Sequence, residues 1–166
     1  MAAEGATVGP ATDADLDGIL ELQAANQLER GGMLSAELPR AQVAAMIRAR
    51  PLIVARRGGR VVAFLMNSTR EMSAGVPIVR AMLDAYPGSA DAYVYGPICV
   101  KEDERGRGLA PAMFAELRRL ERGHEGILFI RRDNPASLRA HTRMGMTEVA
   151  DFQFAGVEHV VLSYVG

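Results

Sequence analysis

Residues 100–110 read Val100-Lys101-Glu102-Asp103-Glu104-Arg105-Gly106-Arg107-Gly108-Leu109-Ala110, a charged, glycine-rich turn leading into an amphipathic run. A turn of this kind suits an anion, phosphate above all. Glycine lets a backbone come close to a ligand, and the first amides of a following helix have no intrahelical acceptor. The helix dipole adds partial positive charge at the same place. Arg105 and Arg107 supply full charges. Spacing separates the possible phosphate motifs. A P-loop requires Gly-x-x-x-x-Gly-Lys followed by Ser or Thr, and this turn offers no such Lys and hydroxyl. A dinucleotide fingerprint requires Gly-x-Gly-x-x-Gly after the first strand of a βαβ unit. Here Gly106-Arg107-Gly108-Leu109-Ala110-Pro111 has Pro at the third position and lies late in the chain.

A second constellation is Asn134-Pro135-Ala136-Ser137-Leu138-Arg139-Ala140-His141-Thr142-Arg143-Met144-Gly145-Met146. An Asn N-cap, Pro at the first helical position and Gly after the last turn are helix punctuation. Capping does not account for Asn134, Ser137 and His141 at i, i+3 and i+7, a polar stripe on one helical face. Histidine titrates near pH 6.5 when unperturbed, so His141 can serve as an acid, a base or a hydrogen-bond donor. A histidine packed to fill the helix face is the competing reading. His124 and His159 have no chemical context and read as surface residues. Cys99 reads as a small core residue, because no neighbouring His marks an activated thiolate.

Arg105-x-x-Gly108-x-Ala110 after a predicted strand matches the pattern Arg/Gln-x-x-Gly-x-Gly/Ala. Residues 134–146 match a later signature of Asn, a small residue, an aromatic or His, and Gly before an apolar residue. With both in order, the chain resembles the GNAT N-acetyltransferase superfamily, most strongly over residues 93–154. The resemblance implies a single α/β (α+β) domain over residues 1–166. Its mixed sheet would have about seven strands with a splayed parallel pair, residues 92–100 and 127–130, flanked by about four to five helices. It also implies that the backbones of Ile98, Cys99 and Val100 hold the pantetheine arm and polarise the thioester carbonyl. Arg105, Gly106, Arg107, Gly108, Leu109 and Ala110 would cradle the pyrophosphate, and Asn134 and Ser137 would contact the pantetheine region.

The implied activity is transfer of an acetyl group from acetyl-CoA, without a metal, to a primary amine by direct attack on the thioester. A non-catalytic acyl-CoA sensor of the same fold is the alternative. His141 stands where many members carry a Tyr that protonates the departing thiolate, which is a departure from the family. A lysine-like amine, with a pKa of about 10.4, must also lose a proton before it attacks. The strand offers Tyr93 and Tyr95 but no Glu where some members have a base. Tyr95, beside Gly96-Pro97, is the acceptor-side candidate, with an aromatic packed on the sheet as the competing reading. Many family members dimerise, so a homodimer is among the assemblies implied.

These residues need elements to position them. Thr12 is a helix N-cap with Asp13, Asp15 and Asp17 following and Leu16, Ile19, Leu20 and Gln23 at helical spacing, up to Gly31-Gly32. A second helix is expected from Pro39 to about Arg50. Residues 52–57 and 60–67 flank Gly58-Gly59 as a hairpin. Val79, Met82, Leu83 and Tyr86 predict a short helix within 69–91, a segment long enough to cap an acceptor site. Residues 92–100 form a strand interrupted at Gly96-Pro97, and residues 109–122 form a helix with Pro111 in its first turn, closed by Gly123. Strands at 127–130, 147–154 and 159–165 and a helix at 134–144 complete the reading. The acceptor side would draw on Gln23, Asn26, Gln27, Glu29 and Arg30, which show no decisive pattern.

Composition agrees with this frame. The 166 residues carry 19 Lys and Arg against 20 Asp and Glu, a balance that argues against a nucleic-acid partner despite the Arg-Gly cluster. One cysteine forms no internal disulfide and no Cys/His spacing marks zinc, so the chain reads as cytoplasmic and metal-free. Residues 1–10 lack a signal-peptide pattern, and no apolar run reaches the roughly 20 residues of a membrane span.

Overall fold

Gly58 and Gly59 both take positive φ, 60° and 78°, and turn the chain from β2 (Ile53–Arg57) into β3 (Arg60–Ser68) as a two-residue hairpin. In this computed structural model, residues 5–27, 30, 34 and 37–166 are described. Gly31, Gly32 and Glu29 lie outside them. The hairpin belongs to a seven-stranded sheet of order β1-β2-β3-β4-β5-β7-β6. The other strands are β1 (Ala6–Pro10), β4 (Tyr93–Val100), β5 (Glu125–Arg131), β6 (Thr147–Phe154) and β7 (Val157–Val165). β4 and β5 pair in parallel through Tyr93↔Gly126 and Val94↔Ile127, so the sheet is mixed.

Six α-helices stand among the described residues: α1 (Leu16–Ala25), α2 (Arg40–Ala49), α3 (Arg70–Ser73), α4 (Pro77–Ala85), α5 (Leu109–Leu120) and α6 (Pro135–Arg143). That exceeds the four to five expected because α3, a four-residue turn capped by Thr69, carries no periodic pattern. β1 adds the seventh strand. It pairs antiparallel with β2 from Ala6↔Arg57 to Pro10↔Ile53, and that pairing is what makes it a strand. The expected interruption of β4 appears as a left-handed Gly96 (φ 104°) before a cis Pro97, inside one continuous strand.

Contacts divide the chain into two compact units, Met1–Asn67 with Gly96–Leu120, and Ser68–Tyr95 with Glu121–Gly166. In the first, Ile19, Leu22, Val43, Met46, Val54, Phe64, Met66 and Cys99 form the core, and α5 packs on β1 and β2. α1 follows a short 3-10 turn capped as predicted: the Thr12 amide donates to the Asp15 carboxylate at 2.8 Å within a capping box. In the second unit, Val79, Met82, Ala92, Val94, Ile127 and Val161 form the core, and α4 packs on β6.

Gly126 fixes the floor of the second unit. A Cβ there would lie 2.3 Å from Cζ of Tyr164, a buried ring whose hydroxyl bonds that of Tyr93. Gly126→Ala is therefore expected to push the ring aside, break that bond and cost about 1–3 kcal/mol. Thermal unfolding checks this, and an unchanged Tm would contradict it.

Candidate active site

The phosphate-suited turn lies wholly in the first unit. β4 ends at Val100, a 3-10 turn covers Glu102–Glu104, and α5 begins at Leu109, whose side chain is buried. Between them Gly106 and Gly108 take φ of 77° and 80°, the left-handed region that disfavours a Cβ. A Cβ on Gly106 would meet no protein atom within 4 Å, so the glycine serves backbone conformation and outside access rather than internal packing. Ala112 N–H donates to Gly108 O at 3.2 Å. Leu109 and Ala110 thus begin the helix as first-turn donors without intrahelical acceptors. The helix dipole favours negative charge at this end. These residues fit a diphosphate.

The side chains around the turn are arranged less simply than their charges imply. Arg105 Nε donates to Val100 O at 3.2 Å, and its Nη2 donates to Asn26 Oδ1 at 2.9 Å. Glu104, nearly buried, receives Arg57 through both oxygens, at 2.9 Å each, which lowers its carboxyl pKa below the usual range. Arg107 is exposed, its nearest guanidinium nitrogen 3.9 Å from Glu104. Ile98 and Val100 are half-buried and Cys99 is buried. Burial outweighs the nearby Arg105 charge and pushes the Cys99 thiol up to about 12, so it stays protonated and is no nucleophile at neutral pH.

The second unit holds the other candidates. Asn134 caps α6, its Oδ1 accepting the Ser137 amide at 3.3 Å. The Ser137 hydroxyl lies 3.3 Å from His141 Nδ1, and the Ser137 carbonyl lies 2.8 Å from the same nitrogen. A carbonyl only accepts, so Nδ1 carries the proton and Nε2 is bare. Nε2 then accepts the Tyr95 O–H at 3.1 Å. The polar stripe is thus one hydrogen-bonded chain, Asn134–Ser137–His141–Tyr95, whose two ends come from α6 and β4.

Both ring systems of that pair are buried, with exposures of 4% each. Their rings meet edge to face at 5.5 Å, and Tyr164 packs edge-on against Tyr95 at 5.9 Å. Burial lowers the pKa of His141, only partly offset by the bond to Ser137 O. Burial, reinforced by Tyr93, raises that of Tyr95. At neutral pH the pair is neutral imidazole and phenol.

Not every expectation holds. His159 is no surface residue: it is 4% exposed and stacks on Phe152 at 5.0 Å. His124 is exposed beside Glu121. Gln23 clasps the Leu38 backbone through both amide atoms, while Gln27 Nε2 and Asn26 Nδ2 bond the α1 carbonyls of Gln23 and Leu22. These polar residues hold the end of α1. Sequence reasoning missed Asn26, Arg57 and Glu104 as supports of the turn. Their partners lie 79 and 47 positions away, and no spacing rule connects them.

Among the described residues no group of three or more His, Cys, Asp or Glu is placed to hold a metal ion, and no helix is long and apolar enough to cross a membrane. The sequence profile of the acetyltransferase (GNAT) family matches residues 19–146. No curated protein matches the chain. Among solved structures, a GNAT-family acetyltransferase from Streptococcus agalactiae superposes with TM-score 0.74 at 15% identity, covering 98% of this chain and 96% of that one. The structure of YncA from Salmonella typhimurium with its cofactor acetyl-CoA gives 0.69 at 18%, covering 96% and 93%. A ribosomal-protein-alanine N-acetyltransferase from Brucella melitensis gives 0.69 at 21%, covering 96% and 99%. At these identities the likeness is one of fold.

Proposed function

The chain belongs to the acetyltransferase (GNAT) family, and from that premise we propose that it is a cytoplasmic N-acetyltransferase of one domain that acetylates a primary amine. The observation that carries this is the turn of Arg105-x-x-Gly108-x-Ala110, with two left-handed glycines opening onto a helix N-terminus. In this reading residues 105–110 cradle the diphosphate of acetyl-CoA, the amides of 106–110 facing it and Arg107 adding an exposed charge. The backbones of Ile98, Cys99 and Val100 hold the pantetheine arm. Segment 69–91 borders the amine.

Acetyl-CoA supplies the thioester: as the C–N bond forms and the C–S bond breaks, nitrogen loses a proton and sulfur gains one. Tyr95 and His141 move that proton. The Tyr95 oxygen takes the amine proton as its own proton passes to His141 Nε2, and the reverse shift delivers a proton toward sulfur. Both pKa directions support this division. A phenol held strongly protonated relays without becoming phenolate, and an imidazole disfavoured as a cation gives its proton up readily. The attacking amine must itself be neutral.

The test has two stages, acetyl-CoA titration by calorimetry and then amine-dependent release of free thiol across an acceptor panel. Saturable binding followed by thiol release is expected. Folded protein that binds no acetyl-CoA would end the proposal, and binding without release from any amine would leave the sensor reading in its place.

A further inference from the structure

Two side-chain anchors meet the turn at consecutive residues. Glu104 is gripped by Arg57, the last residue of β2, in a bidentate pair. Arg105 bridges Val100 O, at the end of β4, to Asn26 Oδ1, at the C-cap of α1. Asn26 is 7% exposed and tied down on every side. Its Nδ2 donates to Leu22 O at 2.9 Å, its amide donates to Gln23 O at 3.2 Å, and its carbonyl accepts from the Leu34 amide at 2.9 Å. With Nδ2 committed to a carbonyl, Oδ1 is the atom left facing Arg105.

Glycines lose more conformational freedom on ordering than other residues, so a turn with two of them binds weakly unless its ends are fixed. Here Glu104 and Arg105 fix one end and buried Leu109 fixes the other, leaving only residues 106–108 to be set. We propose that Asn26 is a positioning residue for the cofactor turn. Through the Arg105 guanidinium it holds the following backbone amides in their binding arrangement before the diphosphate arrives, and Arg105, whose own amide donates to Glu102 O, acts by fixing the turn and not by its charge. This rests on the acetyl-CoA reading for the ligand, while the anchoring itself is a property of the free protein.

Asn26→Ala and Asn26→Asp separate the Arg105 bond from everything else Asn26 does. Both lose the donation to Leu22 O, but only Asp keeps an acceptor for Arg105. Asn26→Ala is expected to raise the Kd for acetyl-CoA about tenfold with kcat at saturation within about twofold, and Asn26→Asp to stay within about threefold of the parent. Arg105→Ala is expected to match Asn26→Ala and to add less than about twofold on top of it. Hydrogen exchange of ligand-free Asn26→Ala should speed up in peptides covering residues 100–108 and not in β7. A full Arg105→Ala loss persisting in the Asn26→Ala background would overturn the proposal by making Arg105 a direct phosphate ligand. So would Asp as weak as Ala, or unchanged exchange in residues 100–108. Faster exchange there in a protein that binds no acetyl-CoA at all would uphold the anchoring and defeat the acetyl-CoA reading instead.

Discussion

His141→Gln is expected to lower kcat by about 10²–10⁴-fold while the Kd for acetyl-CoA stays nearly unchanged. The reason is the fixed tautomer. Nδ1–H donates to Ser137 O, so Nε2 is the one nitrogen able to receive the Tyr95 proton. Glutamine cannot alternate between accepting and donating at one atom. Tyr95→Phe removes the other half of the proposed relay and should cost a similar factor. The double variant should be little worse than either single one, because the two groups act as a unit. A structural role in packing predicts the opposite pattern: separate losses of Tm with kcat retained.

The pH profile should give the proposed relay a second signature. Burial depresses the folded pKa of His141 below the ordinary value of about 6.5, so the neutral, proton-accepting form persists to lower pH than in an exposed histidine. The acid limb of kcat should therefore fall below pH 6.5 and should vanish in His141→Gln, with the rise toward high pH left to the amine. A His141→Gln variant that keeps kcat within about threefold and retains the limb would remove histidine from the chemistry.

Glu125→Gln is expected to destabilise the fold strongly, and its physics is different. The carboxylate is 6% exposed at the start of β5, and all its partners lie in its own unit. Oε1 accepts from the Ser89 amide at 2.6 Å and the Ser89 hydroxyl at 2.9 Å. Oε2 accepts from the Tyr86 hydroxyl at 2.7 Å and from the Ser163 hydroxyl. Burial alone would push this carboxyl up. The bonds from Ser163, the Ser89 amide, Tyr86 and the Ser89 hydroxyl outweigh it and hold the pKa at about 2. Glutamine keeps one acceptor oxygen and turns an N–H₂ toward two of the four donors, replacing their bonds with donor–donor contacts.

The sign follows from the folded pKa lying below the ordinary glutamate value. Glu125 stabilises fully above about pH 4.5, and its contribution drains away as pH falls from there toward 2. The contribution is at most about 3 kcal/mol. Urea unfolding at neutral pH should show a loss of about 2–3 kcal/mol in Glu125→Gln, and the acid sensitivity between pH 4.5 and 2 should shrink. Equal stability of the two proteins at neutral pH would refute the account. Gly88 explains why no side chain intrudes on this cluster: a Cβ there would lie 2.8 Å from Glu125 Oε1 and 2.5 Å from Ile127 Cδ1. The cluster, together with Arg70 donating to the carbonyls of Pro87 and Ser89, ties down the end of segment 69–91.

What was legible in the sequence is local. The Thr12 capping box, the Gly58-Gly59 hairpin, the Asn134 cap with Pro135, and the left-handed glycines of the 106–108 turn each depend on residues within a few positions. Composition and spacing are enough to specify them. Two such local patterns in the right order also carried the family. What only the tertiary structure decided is who meets whom across the chain. Ala6–Pro10 is a strand because β2 offers it an edge, and Glu125 is a buried anchor because β5 begins earlier than its apolar run. His141 meets Tyr95 across 46 positions, and Arg105, though exposed, bonds Asn26 across 79. Hydrogen bonds of that reach are set by packing of elements whose sequences are otherwise independent, and the sheet is what brings them within 3 Å or so of one another.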